Sequence, residues 1–128
     1  PIYAPEEQEV VQFSWGYEAL HLLQWALGQA ETLAPLTEIC DVPQAGRLAQ
    51  ANASQELIAT ATLRPVEELL DALDKHYRLH WAVRQAQQVE NSPAPAGLEG
   101  GVIMERHKAL NWIMCFEDAD WDDVTTPT

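Results

Sequence analysis

Residues 101–116 read GVIMERHKALNWIMCF, an apolar helical pattern interrupted by four consecutive ionisable residues, Glu105, Arg106, His107 and Lys108. Neighbours on an α-helix lie about 100° apart, so four in a row sweep most of the circumference. They cannot all face water while Val102, Ile103, Leu110, Ile113 and Met114 face a core. At least one charge is therefore expected inside, and a buried charge requires a partner. Arg106 and His107 fall on the inward side, whereas Glu105 and Lys108 can turn outward. Asn111 follows His107 at i+4, a spacing at which its amide can hold the imidazole.

The rest of the chain is also helical in pattern. From Val10 to Leu27, Val10, Phe13, Tyr17, Leu20 and Leu27 mark one side, broadened by Val11, Trp15, Leu22 and Trp25. A helix so apolar around its girth is expected at the centre, with Gly28 as its C-terminal cap. Residues 29–40 read as a loop. Asp41 can cap a helix opened by Val42-Pro43, and Ser54 another running to about Thr62. Pro65 suits a first helical position, with Glu67 and Glu68 against the positive end of the helix dipole. From there to about residue 89 the expected inward stripe is Val66, Leu69, Leu70, Leu73, Tyr77, Trp81 and Arg84. The prolines and glycine of 91–97 break that helix. Beyond Asp118 the periodicity is lost, and Trp121 is expected to anchor the acidic tail to the domain. No internal repeat and no alternating run long enough for a strand occurs. The pattern predicts one all-α domain over residues 1–128. Its helices fall near 8–27, 42–51, 54–62, 65–89 and 101–117; the first, fourth and fifth pack together, and the C-terminal tail is irregular and acidic.

Charge narrows the function classes. The 128 residues carry a net charge of −13, with no Lys or Arg before Arg47 and none after Lys108. Residues 117–123, EDADWDD, add a dense acidic end. Such a field repels nucleic acid and anionic membranes and attracts a basic partner. No apolar run reaches membrane-spanning length and no signal peptide is visible, which points to a cytoplasmic setting. Cys40 and Cys115 form no CxxC pair and read as reduced thiols.

Several constellations could carry chemistry. His76 and His80, at i and i+4, share a helix face, a spacing compatible with a metal. His107 or Glu105 could supply a third ligand. The HExxH signature is absent, however, because Lys75 and Tyr77 flank His76, and neither a metal nor a cofactor is expected. Arg84 falls on the inward stripe and would need a carboxylate, for which Glu18 and Glu105 are the candidates. Arg78 faces elsewhere. Glu18, within the apolar first helix, is also the natural ion partner of Arg106. Cys115 lies at i+8 from His107, too far for a dyad, and Gly100-Gly101 reads only as a helix-opening turn. No nucleophile elbow, phosphate loop or dinucleotide fingerprint occurs.

Segments in several parts of the chain resemble a bacterial family of unknown function, the domain of unknown function family 4272. They are SWGYEAL at 14–20, WALG at 25–28, CDV at 40–42, LRP at 63–65, YRLHWAVR at 77–84, ERHKALNW at 105–112 and DWDDV at 120–124. Gly16 departs from the arginine expected there. The resemblance implies a helical domain and a recurring polar set: Glu18, Arg78, His80, Arg84, Glu105, Arg106, His107 and Asn111. It also implies a further helical segment upstream, so the chain reads as a fragment. It brings no established reaction.

Two functional readings follow. The first is a non-enzymatic interaction module that binds a basic protein through its acidic surface, in a toxin-neutralising or accessory role. The second is an enzyme or small-ligand binder that uses the Glu/Arg/His cluster, and it requires a pocket where those side chains converge.

Overall fold

The computed structural model describes residues 7–52 and 61–128, with side chains in the first helix described from Trp15 onward. The helix expected at 54–62 lies outside the described residues except for positions 61 and 62, which are not helical. The described residues form four α-helices: α1 (Glu7–Ala26), α2 (Val42–Ala51), α3 (Val66–Arg84) and α4 (Gly100–Ile113). Among the described residues there is no strand, and the all-α expectation holds.

Local chemistry sets most helix ends. Gly28 adopts φ +74° beyond α1 and donates to Trp25 O at 3.0 Å, the left-handed cap its missing Cβ allows. Asp41 caps α2, its carboxylate accepting from Gln44 N at 3.0 Å, with Pro43 in the first turn. Pro65 is the N-cap of α3, so the helix opens at Val66, one residue later than expected. Helical backbone continues from α3 to Val89, as expected, but its last turn changes type. At Gln85–Val89 it loosens into a π-turn in which Glu90 N bonds Gln85 O at 3.0 Å. α4 stops at Ile113, short of the expected 117, because Cys115 takes a left-handed conformation at φ +57°.

α4 packs against both α3 and α1, and α2 lies on α1. The core gathers Ala19 and Leu22 of α1 with Ala109 and Leu110 of α4; Trp25, Leu73, Ile113 and Trp121 pack around them. Trp121 thus ties the acidic tail to the core, stacking edge-on against Trp112 at 5.6 Å. On α1 the inward side is that of Ala19, Leu22 and Ala26, while Tyr17, Leu20 and Leu27 are only half-buried. Gln24, also buried, donates to Ala45 O at 2.9 Å and fixes α2 against α1. Gly101 is more than a turn residue: a Cβ there would overlap the six-membered ring of Trp15. That glycine lets α1 and α4 approach.

α3 differs most from expectation. Its buried residues are Leu69, His76, His80 and Val83, whereas Val66, Leu70, Tyr77 and Trp81 are 45–56% exposed. The helix is turned by about 90° from the expected face, close to one residue's step. Its apolar arc continues through two histidines, and α4 docks on the histidine side.

Candidate functional site

The polar residues singled out from the sequence divide into two groups. The first is sealed. Glu18 and Arg106 are both fully buried and pair through Oε2 and Nε at 3.2 Å. The other Glu18 oxygen accepts from Cys40 N, and Arg106 Nη1 donates to Ala34 O at 2.8 Å. The pair therefore joins α1 to α4 and pins both ends of the 34–40 loop. Burial lowers the Arg106 pKa, and the Glu18 charge opposes that shift. Burial and then Glu18 push the Cys40 thiol up to about 12, so it stays protonated and donates to Tyr17 O at 3.5 Å. That environment disfavours the thiolate form. His21 Nε2 accepts from Ala34 N at 3.0 Å, and burial followed by the Arg106 charge lowers its pKa. Among the described residues, Arg106 Nη2 has no hydrogen-bond partner.

The second group lies where α3 meets α4. His80 Nδ1 and His107 Nδ1 are 2.9 Å apart, with the rings nearly perpendicular at 88°. One ring donates and the other accepts, so the donor carries its proton on Nδ1 and a neutral acceptor on Nε2. Burial lowers both pKa values, that of His107 to about 4. Tyr77 packs edge-on to His107 at 5.9 Å. His76 does not join them. Its Nδ1 bonds Ala72 O at 2.6 Å within its own helix, and its buried Nε2 has no partner among the described residues. Burial drives its pKa down to about 4. The i, i+4 spacing of His76 and His80 thus gives no converging ligand set. Among the described residues no three His, Cys, Asp or Glu side chains are placed to hold a metal.

Two expected contacts are replaced by contacts to the tail. Asn111 does not hold His107; its amide donates to Thr125 O at 2.9 Å. Arg84 meets no carboxylate among the described residues and donates to the Thr128 hydroxyl at 2.9 Å. The turn of α3 carries Arg84 out of the core edge and towards residues 125–128. Arg78 is exposed and pairs with Asp74 at 3.0 Å. Glu105 is half-buried, its pKa raised by burial and partly offset by Lys108. The Lys108 ammonium lies over the Trp121 ring at 4.4 Å.

A cleft opens on either side of the tail. One, of about 620 Å³, is bordered by Leu70, Leu73, Tyr77, His107, Phe116 and Thr128. The other, of about 440 Å³, is bordered by His80, Arg84, Gln87, Gly100, Met104 and Thr126. Each reaches one member of the histidine pair. Sequence reasoning missed His21 and Cys40 as members of the buried network, and Gln24 as the buried contact to α2. His21 and Gln24 carried a signal, being polar positions one turn on from Glu18 and Leu20 in an apolar helix.

These features define an all-helical domain with a sealed ion pair on one side of α4 and a neutral histidine pair on the other. The family described as Domain of unknown function (DUF4272) matches residues 3–124, and the chain belongs to it. No curated protein and no solved structure matches the chain.

Proposed function

We propose that the domain is an interaction module that docks a basic, amphipathic protein segment on the outer face of α3. One observation carries this reading. Val66, Leu70, Tyr77 and Trp81, each 45–56% exposed, lie within about 60° of one another around α3. Four large apolar side chains in one stripe form a patch that an isolated soluble surface rarely leaves open. Along the side away from α4 the stripe is bordered by exposed Glu67, Asp71 and Asp74. Arg78 and Lys75 are the exposed basic residues on that side, and Asp74 already pairs with Arg78. An apolar stripe with an acidic border is complementary to a helix that alternates leucine-type and lysine-type positions. The net charge of −13 would speed such an encounter. Neutralising a basic toxin or serving as its accessory falls within this class of partner.

The alternative, a catalytic or small-ligand site, would have to rest on the His80–His107 pair, because Glu18 and Arg106 are enclosed. Among the described residues that pair hydrogen-bonds only to itself. Among the described residues no Ser, Thr or Cys side chain hydrogen-bonds to either ring.

The test uses a synthetic leucine/lysine amphipathic helical peptide as probe. Binding should weaken by about tenfold or more between low and high salt, as screening removes the charge attraction. Trp81→Ala should weaken it at every salt concentration, and Asp71→Lys mainly at low salt. Affinity unaffected by salt and by both substitutions would overturn the proposal.

A further inference from the structure

We propose that the groove between α3 and α4 is a docking site for an extended peptide, and that residues 125–128 occupy it in cis. The segment has no regular secondary structure, and the last backbone-to-backbone hydrogen bond before it is Val124 N to Asp120 O at 3.0 Å. Beyond Val124, two side chains from the groove walls hold it. Asn111 on α4, 4% exposed, donates to the Thr125 carbonyl, and Arg84 on α3 donates to the Thr128 hydroxyl, each at 2.9 Å. A side-chain amide on a backbone carbonyl together with a guanidinium on a side-chain oxygen is how a protein reads an extended peptide.

The occupant is small for its site. With Thr126 and Pro127 in place, clefts of about 620 and 440 Å³ remain on the two sides. One cleft reaches His107 and the other His80, which bond to each other. Arg84 uses one guanidinium nitrogen on a neutral hydroxyl and meets no carboxylate among the described residues. A peptide offering a carboxylate at that position would make a charge-assisted bond instead. The family match covers residues 3–124, so the groove walls lie inside the matched region and the strap outside it. The ligand class is therefore an extended peptide that presents a backbone carbonyl to Asn111. Three residues later it presents an oxygen-bearing side chain to Arg84.

The experiment compares the full chain with a chain shortened after Val124. The probe is a synthetic peptide of the sequence of residues 122–128, DDVTTPT, followed by calorimetry. The shortened chain should bind it about tenfold or more tightly than the full chain does, since the cis segment competes at high effective concentration. A peptide with glutamate in the last position should bind more tightly still. Arg84→Ala and Asn111→Ala in the shortened chain should each weaken binding by about tenfold, as expected for loss of a buried or charge-assisted hydrogen bond. Trp81→Ala should leave it unchanged, which separates this site from the outer face of α3. Should the shortened chain fail to fold, the full chain carrying Pro127→Asp and Thr128→Val loosens the strap and keeps both groove side chains. It should then bind the probe. Equal affinity in all chains, or no binding in either released form, overturns the proposal. Dimerisation of the full chain that is lost on shortening would make the occupant a second copy's segment and overturn the cis assignment.

Discussion

Glu18 and Arg106, 88 positions apart, meet at 3.2 Å with neither side chain exposed to solvent. Together they also hold the backbone of Ala34 and Cys40, so one ion pair fixes two helices and a loop. Removing one partner leaves the other charge buried alone, which costs about 3–5 kcal/mol. Glu18→Gln and Arg106→Met are each expected to lower the unfolding free energy by that order in urea titrations. The double variant should lose clearly less than the sum, because no isolated charge is left. Additive losses would mean that the pair is not coupled.

Acid should destabilise the fold through its buried histidines. His76 and His107 ordinarily titrate near 6.5 and are held down to about 4 in the folded chain, chiefly by burial. The unfolded chain therefore binds more protons between those two values. Stability is fully present above 6.5 and falls as pH drops towards 4. His80, lowered by burial and by Arg84, and His21 act in the same direction. The charges that oppose protonation include Arg84 beside His80, and Arg106 and Lys75 beside His76. Glu105, raised by burial, acts the other way and softens the loss. Urea unfolding at pH 7.5, 5.5 and 4.5 should show a monotonic fall of a few kcal/mol. In His76→Phe that fall should be shallower. A flat profile would show that the histidines are already solvated.

Parts of this architecture were legible because they are written in local chemistry. Asp41 before Pro43 and Gly28 after Ala26 announce helix ends by capping and by φ freedom alone. Glu18 and Arg106 could be matched because few charges stood inside apolar helices. The face of α3 was not legible. Its apolar residues outnumber one face, and the burial of His76 and His80 depends on where α4 docks, which no single-helix period records. Backbone groups are equally silent: the carbonyls of Ala34 and Thr125 decide where Arg106 and Asn111 point. The stop at Ile113 rests on a left-handed cysteine, a conformation that side-chain type does not announce.

Gly101 and Trp15 give a further test of how α1 meets α4. Helix propensity alone favours alanine over glycine by about 1 kcal/mol. At position 101, however, the added methyl would overlap the six-membered ring of Trp15. Overpacking of this kind costs about 1–3 kcal/mol, so the steric effect should win and Gly101→Ala should lower the melting temperature. In a Trp15→Leu background the same substitution should be neutral or stabilising. A stabilising Gly101→Ala in the parent chain would show that the indole can move aside without loss.

Trp121 should couple the acidic tail to the core. It packs against the cluster of Leu22, Ala109 and Leu110, meets Trp112 edge-on, and lies under the Lys108 ammonium. The surrounding acids, Asp118, Asp120, Asp122 and Asp123, are exposed and repel one another, so the indole opposes their separation from the domain. Trp121→Ala is expected to cost about 2–3 kcal/mol, less than a fully buried tryptophan because the ring is only partly covered. The loss should not be uniform. Amide exchange should quicken first at Asp123 and Val124, whose backbone amides bond Asp120 O, while the amides of α4 near Leu110 keep most of their protection. Because Thr125 and Thr128 follow directly on that segment, their bonds to Asn111 and Arg84 should weaken too. Uniform loss of protection across α1, α3 and α4 would instead make Trp121 part of the global folding core.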